Sequence, residues 1–276
     1  KYFIKRIIMN TSIFASGESI DIGCRVIKWD EPNGYSFYSS QKYVARQDSL
    51  EELRKKIKLF CLHHSVTFTA KQTYLGLIGR GLSVNFIIGD DIDEDGYATI
   101  YQCLDIKDAG YSQGPFNKQG PGVEISFHPE AWENKDLYNE KNQKTYKTLP
   151  HEIVKDKVHG KEFIVFKPTD AQIKSCIALL TGFCKLFPNI KPEFPKDSNG
   201  NIIKTAISNP ENLVNHYNLT KQKIDLIGAP LEYIESEIKN NLKIPVKINQ
   251  PEQAKHEVKS SVLSRVRCQV FNWFKK

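Results

Sequence analysis

Up to about Tyr43, apolar and polar positions alternate around turn signals such as EPNG at Glu31 to Gly34. This is the pattern of short strands and hairpins, and it predicts a small β-rich lead-in. Asp48 and Ser49 then precede LEELRKKIKLF, where a capping residue and a Glu-rich first turn predict a helix. The next apolar run, IKLFCLHHS, ends in polar residues, as expected of a buried strand that delivers side chains to its carboxyl end. Helical spacing returns from Lys71 to Ile78 and closes at GRG. SVNFIIGDD and ATIYQCLD predict two strands joined by an acidic turn at Asp90 to Gly96, and GVEISFHP predicts a third. Glu130 to Lys161 is polar and poor in pattern, which predicts an inserted loop or hairpin. Thr169 opens the clearest helix, TDAQIKSCIALLTGFCKLF, which runs to Pro188. A loop rich in Pro, Asn and Gly carries HYNLTKQKID and leads to a short helix at Leu231 to Ile238.

Together these elements predict an α/β fold, a central mixed β-sheet flanked by helices. Residues 1–47 form the β-rich segment and 48–240 the main domain, with an insertion at about 130–161. Residues 241–276 form a linker and a basic amphipathic C-terminal helix. No internal repeat is evident.

Composition narrows the classes. At 276 residues and 40% hydrophobic content, the chain buries one substantial core. No stretch is long and apolar enough to span a membrane. The net charge of +7 is spread over Arg54 to Lys58, Lys155 to Lys161 and Arg265 to Lys276. Such a surface suits a polyanionic neighbour, whether wall polymer, anionic lipid or nucleic acid. No recognised nucleic-acid motif accompanies it, which disfavours the last. In the final SSVLSRVRCQVFNWFKK, Val262, Leu263, Val266, Val270 and Phe271 either dock on the main domain or face a membrane surface or a particle partner.

The six cysteines, Cys24, Cys61, Cys103, Cys176, Cys184 and Cys268, lie mostly in apolar runs with no CxxC pair. They read as reduced, buried thiols from a reducing cytoplasm. Near the start, KYFIKRIIMNTSIFASGES is interrupted by Asn10, Thr11 and Ser12, which does not make a signal peptide.

A catalytic zinc takes about three protein ligands and keeps one position open. His63 closes a buried strand, His216 follows the long helix, and Asp225 lies a short loop beyond it. A His at a strand end is more often a capped or surface residue, so the neighbourhood decides. Adjacent strand residues face opposite ways, so only one of His63 and His64 looks into a shared site.

LHHSVT at Leu62 to Thr67 resembles the first ligand motif of the type-2 N-acetylmuramoyl-L-alanine amidases, the zinc amidase superfamily that includes peptidoglycan recognition proteins and phage lysins. FIIGDDIDEDGYATIYQCLD at Phe86 to Asp105 resembles that family's hairpin, and DAGYS at Asp108 to Ser112 its AG-S loop. GPGVEIS at Gly120 to Ser126 is similar to its SIGIE strand, and TDAQIKSCIALL to its long helix. NHYNLTKQKID at Asn215 to Asp225 resembles its last motif. The likeness spans about Leu59 to Pro230 and keeps the order of six pieces, none of them specific alone.

The resemblance implies one catalytic Zn2+ held by His63, His216 and Asp225, with His64 as a supporting residue behind them. It implies Glu124 as general base and Lys223 as the charge that meets the oxyanion. Asn85, Tyr111 and Ser112 are then expected to touch substrate. The implied reaction is hydrolysis of the amide between N-acetylmuramic acid and L-alanine in bacterial peptidoglycan, by a lysin or a toxin delivered against bacteria. Two features depart from the family: Val84 and Asn85 stand where it usually carries a His or an aromatic, and Leu226 where it carries Pro. The rival readings are a peptidoglycan-binding module without catalysis and a scaffold within a phage tail.

Overall fold

The computed structural model describes residues 10–39 and 42–243, together with the backbone of 248–249. The lead-in is a hairpin of β1 (Ser12–Ala15) and β2 (Glu18–Asp21). Its turn residues Ser16 and Gly17 have φ of 52° and 84°, the left-handed pair that a two-residue hairpin demands. β3 (Val26–Lys28) leaves the hairpin and joins the main sheet. α1 (Leu50–Lys56) starts at a capping box, in which Ser49 and Glu52 satisfy each other's backbone amides. β4 (Leu59–Val66) follows, buried along seven of its eight residues. α2 (Ala70–Gly79) is capped by Thr69 and leads to β5 (Phe86–Ile88) and β6 (Ile100–Gln102), then to β7 (Gly122–Phe127).

The region 130–161 folds as α3 (Glu140–Tyr146) and β8 (Ile153–Val158), the latter hairpinned with β9 (Lys161–Phe166). α4 (Asp170–Leu186) is capped by Thr169 and Gln172. β10 (Asn212–Asn215), α5 (His216–Leu219) and α6 (Leu231–Leu242) complete the domain. β11 (Ile248–Asn249) pairs with β2.

The main sheet has the order β10-β4-β7-β5-β6-β3. β10, β4, β7 and β5 run parallel, and β6 turns back antiparallel to β5. The expected mixed sheet between helices is the observed architecture. Alternation assigns the faces: Phe60, Leu62, Phe86, Ile88, Val123 and Ile125 pack with α4, whereas Ile87 packs with Ala70 and Leu77 of α2. Phe183 of α4 meets Phe60 edge-on at 4.8 Å. The lead-in hairpin lies on α4 so closely that a Cβ on Gly182 would come 2.3 Å from a methyl of Ile22. Ile13, Ala15 and Ile20 thereby share the main core, although the chain pattern marks residues 1–47 as a separate segment.

Cys24, Cys61, Cys103, Cys176 and Cys184 are buried free thiols. Burial pushes Cys24, Cys176 and Cys184 up to about 12, so they behave as small hydrophobes. Cys268 and the basic C-terminal helix expected within 250–276 lie outside the described residues. Among the described residues, no helix is long and apolar enough to cross a membrane.

The loop expected between α4 and Asp225 contains β10, a parallel edge strand. Four residues bounded by a proline are too few to show a period, so pairing with β4 makes this strand visible where the pattern does not.

Candidate metal centre

β4 and β7 run parallel in a register that sets His63 beside Glu124. Both side chains therefore leave the same face of the sheet, toward α2. On the other side of β4, Asn215 of β10 pairs with Leu62, so His216 emerges one residue later, level with His63. Asn215 N–H donates to Oδ1 of Asn218 at 2.9 Å, which turns the chain sharply into α5 at this point. Tyr217 N–H donates to the carbonyl of Asp225 at 3.1 Å and folds the following loop back onto His216.

The result is a small triangle of ligand atoms. Nδ1 of His63 and Nδ1 of His216 are 2.9 Å apart, Nδ1 of His216 and Oδ2 of Asp225 are 2.8 Å apart, and Nδ1 of His63 lies 3.5 Å from the same oxygen. Ligands bonded to zinc at about 2.0 Å in a tetrahedron stand about 3.3 Å from one another. Two imidazole nitrogens and one carboxylate oxygen at these separations therefore fit a single zinc ion with little adjustment. Hydrogen bonding alone explains the triangle poorly, because two ring nitrogens facing each other need one proton between them while both also face an acceptor.

Burial and charge agree with this. Burial opposes ionisation of Asp225, yet hydrogen bonds from His216 and His63 hold its carboxyl well below the usual range. Burial, together with the neighbouring His216, pushes His63 down to about 4, so its ring is neutral, as a ligand must be. Glu124 goes the other way: burial and the nearby Asp225 raise it to about 8, against the opposing charges of Lys223 and Arg80. Its Oε2 has no hydrogen-bond partner among the described residues.

These groups line an open cavity of about 290 Å³. His63, Glu124, His216, Lys223, Asp225 and Ser112 all reach it, and Ser112 brings a buried hydroxyl without a partner. His64 alternates away from His63 and stands edge-on to Phe127 at 5.5 Å, yet it too lines the cavity. Its Nε2 is 3.8 Å from Oδ1 of Asp225, the carboxylate oxygen that the triangle does not use.

Two expected substrate contacts lie elsewhere. Asn85 is fully buried, and its amide donates to the carbonyls of Asp105 and Asp108 at 3.1 and 2.8 Å. From the bend just before β5 it braces the DAGYS loop and does not line the cavity, because a buried amide spends its polarity on nearby backbone. Tyr111 is 42% exposed, its ring 5.8 Å from Nζ of Lys42, and it too is outside the cavity lining.

The sequence reading also missed several residues. Thr73 of α2 bonds Ser65 at 2.9 Å, Thr67 at 2.7 Å and Ser126 at 2.8 Å, a hydroxyl cluster that ties the helix across β4 and β7 beside the cavity. The signal was present: His63, Ser65 and Thr67 are two apart on one strand face, as are Glu124 and Ser126. Arg80, at the end of α2, lines the cavity as well. The β8–β9 hairpin contributes no residue to that lining. It holds the ligand loop from outside, with Nε2 of His159 on the carbonyl of Lys223 at 2.8 Å and Asp156 accepting from Gly228 N–H at 2.9 Å.

No protein-family model matches the sequence, and no curated protein does. Solved structures do match in shape. The endolysin LysCS from Clostridium intestinale URNW, an N-acetylmuramoyl-L-alanine amidase, is 13% identical, with 78% of this chain and 95% of that chain covered at a TM-score of 0.42. AmpDH3 from Pseudomonas aeruginosa, in complex with an anhydromuramic pentapeptide, is 12% identical over 75% of this chain and 66% of its own, also at 0.42. The Staphylococcus aureus hydrolase AmiA, in complex with its ligand, is 10% identical over 79% and 82% at 0.41. These matches concern shape alone. At such identities and scores, the chemistry has to be argued from the residues of this chain.

Proposed function

We propose that the chain is a zinc-dependent amidase that hydrolyses the bond between N-acetylmuramic acid and L-alanine in bacterial peptidoglycan. The observation that carries this reading is the convergence of His63, His216 and Asp225 beside the buried carboxyl of Glu124 in one open cavity. The ordered motifs from Leu62 to Asp225 supply the choice of substrate.

His63 and His216 through Nδ1, and Asp225 through Oδ2, would hold the ion. When bound, zinc supplies Lewis-acid chemistry, polarising a carbonyl oxygen and acidifying water. Glu124, in its ionised form, takes the proton of the attacking water and passes it to the amide nitrogen as that becomes a leaving amine. Lys223 sets a positive charge against the oxygen that gains charge as the carbonyl turns tetrahedral. Ser112 offers a free hydroxyl to the substrate from the cavity wall. Cell-wall lysis, by a phage lysin or a delivered antibacterial toxin, is the setting we favour.

The test uses purified cell walls. Loss of turbidity, release of new L-alanine amino groups, abolition by a chelator and restoration by zinc are expected. Binding to the walls without new amino groups would replace this reading with that of a recognition module.

A further inference from the structure

A histidine that gives Nδ1 to a metal must carry its proton on Nε2, and that N–H normally needs an acceptor to fix the ring. Nε2 of His63 is buried and has no hydrogen-bond partner among the described residues. Close to it is Gln113, 2% exposed, whose Oε1 is likewise buried and without a partner. Both side chains converge over Gly122. A Cβ at that position would come 2.7 Å from Nε2 of Gln113 and 3.3 Å from Nε2 of His63. The absence of a side chain on Gly122 therefore opens the space in which the amide and the ring meet.

We propose that Gln113 is a positioning residue for the metal centre, accepting the Nε2–H of His63 through its amide oxygen and so fixing the ring with Nδ1 free for the ion. This rests on the zinc reading above.

The loop is built to hold Gln113 there. Its N–H, and that of Ser112, both donate to Oδ1 of Asn117, at 2.6 and 3.0 Å. The side-chain amide, by contrast, is held only by a long contact of 3.4 Å from Nε2 to the carbonyl of Gly120. It is thus free to turn about its last torsion, and that turn brings the oxygen toward the ring. A glutamine suits both forms of the ring: its NH2 serves a bare Nε2, and its carbonyl serves an Nε2–H.

The experiment measures zinc affinity by chelator competition for the wild type, Gln113→Met and Gln113→Glu, with thermal melting of each metal-free protein as a control for folding. Gln113→Met keeps length and apolar volume but loses the acceptor, and a loss of about 10- to 100-fold in affinity is expected. Gln113→Glu keeps an acceptor oxygen and is expected to retain affinity within about threefold of the wild type, or to exceed it. In nitrogen-15 spectra of the zinc-loaded wild type, the Nε2 proton of His63 should be observable and slow to exchange, and in Gln113→Met it should exchange rapidly. Equal affinity for wild type and Gln113→Met, or equal losses in both variants, would overturn the proposal while leaving the zinc reading intact. A wild type that binds no zinc would instead remove the reading on which it stands.

Discussion

The chemistry of this site turns on two carboxyls that share one cavity in opposite states. Asp225 is surrounded by imidazoles and stays ionised, whereas Glu124 meets apolar burial and another carboxylate and is raised to about 8. Separation of this kind is what the proposed division into metal ligand and proton carrier calls for. Glu124→Gln should therefore keep its zinc, because it removes no ligand, and should lose about 10²- to 10⁴-fold in turnover on cell walls. Metal analysis beside the turbidity assay checks both halves, and loss of zinc in this variant would make Glu124 a ligand. At this scale much was legible. His63, His216, Asp225, Glu124, Lys223 and Ser112 all reach one cavity. Asn85, expected to touch substrate, instead bonds backbone inside the core, and only the fold shows which way such a polar residue points.

Elements bring those residues together from a stretch of chain that runs from His63 to Asp225. β4 and β7 carry His63 and Glu124, the end of β10 hands the chain to His216 at the start of α5, and hairpin β8–β9 secures the loop that returns Asp225. α6 is fastened in a comparable way. Glu235, 5% exposed, accepts from Phe194 N–H at 3.1 Å and from the ammonium groups of Lys196 and Lys239 at 2.6 and 2.7 Å. Burial alone would raise its carboxyl, yet these donors hold it below the ordinary value. A carboxyl depressed on folding stabilises the fold above its unfolded pKa, and that contribution is lost as pH falls through the folded one. Glu235→Gln is accordingly expected to cost about 1 kcal/mol at pH 7 and to approach the wild type below about pH 4. Urea titrations across that range test it, and a penalty that does not change with pH would assign the effect to packing.

For the whole molecule, the proposed zinc reading links metal and fold. An ion that binds only the folded state adds stability in proportion to the logarithm of its concentration, about 2.7 kcal/mol at a hundredfold excess over Kd. For a domain of this size, the melting temperature should rise by about 5 to 10 °C with zinc and fall back with a chelator. His216→Ala should show no such rise, and a zinc-dependent shift that survives in that variant would point to binding elsewhere.

The sequence by itself determined the class of fold, helices α1 and α4 with their caps, the apolar patterns of the main strands and the order of the chemical motifs, because these depend on neighbours a few residues apart. It did not determine the β10 pairing that puts His216 level with His63, nor the inward turn of Asn85. The bracing of the ligand loop by His159 and the notch over Gly122 were equally out of its reach. Those depend on register, distance and burial between segments far apart in the chain, and only the folded structure sets them.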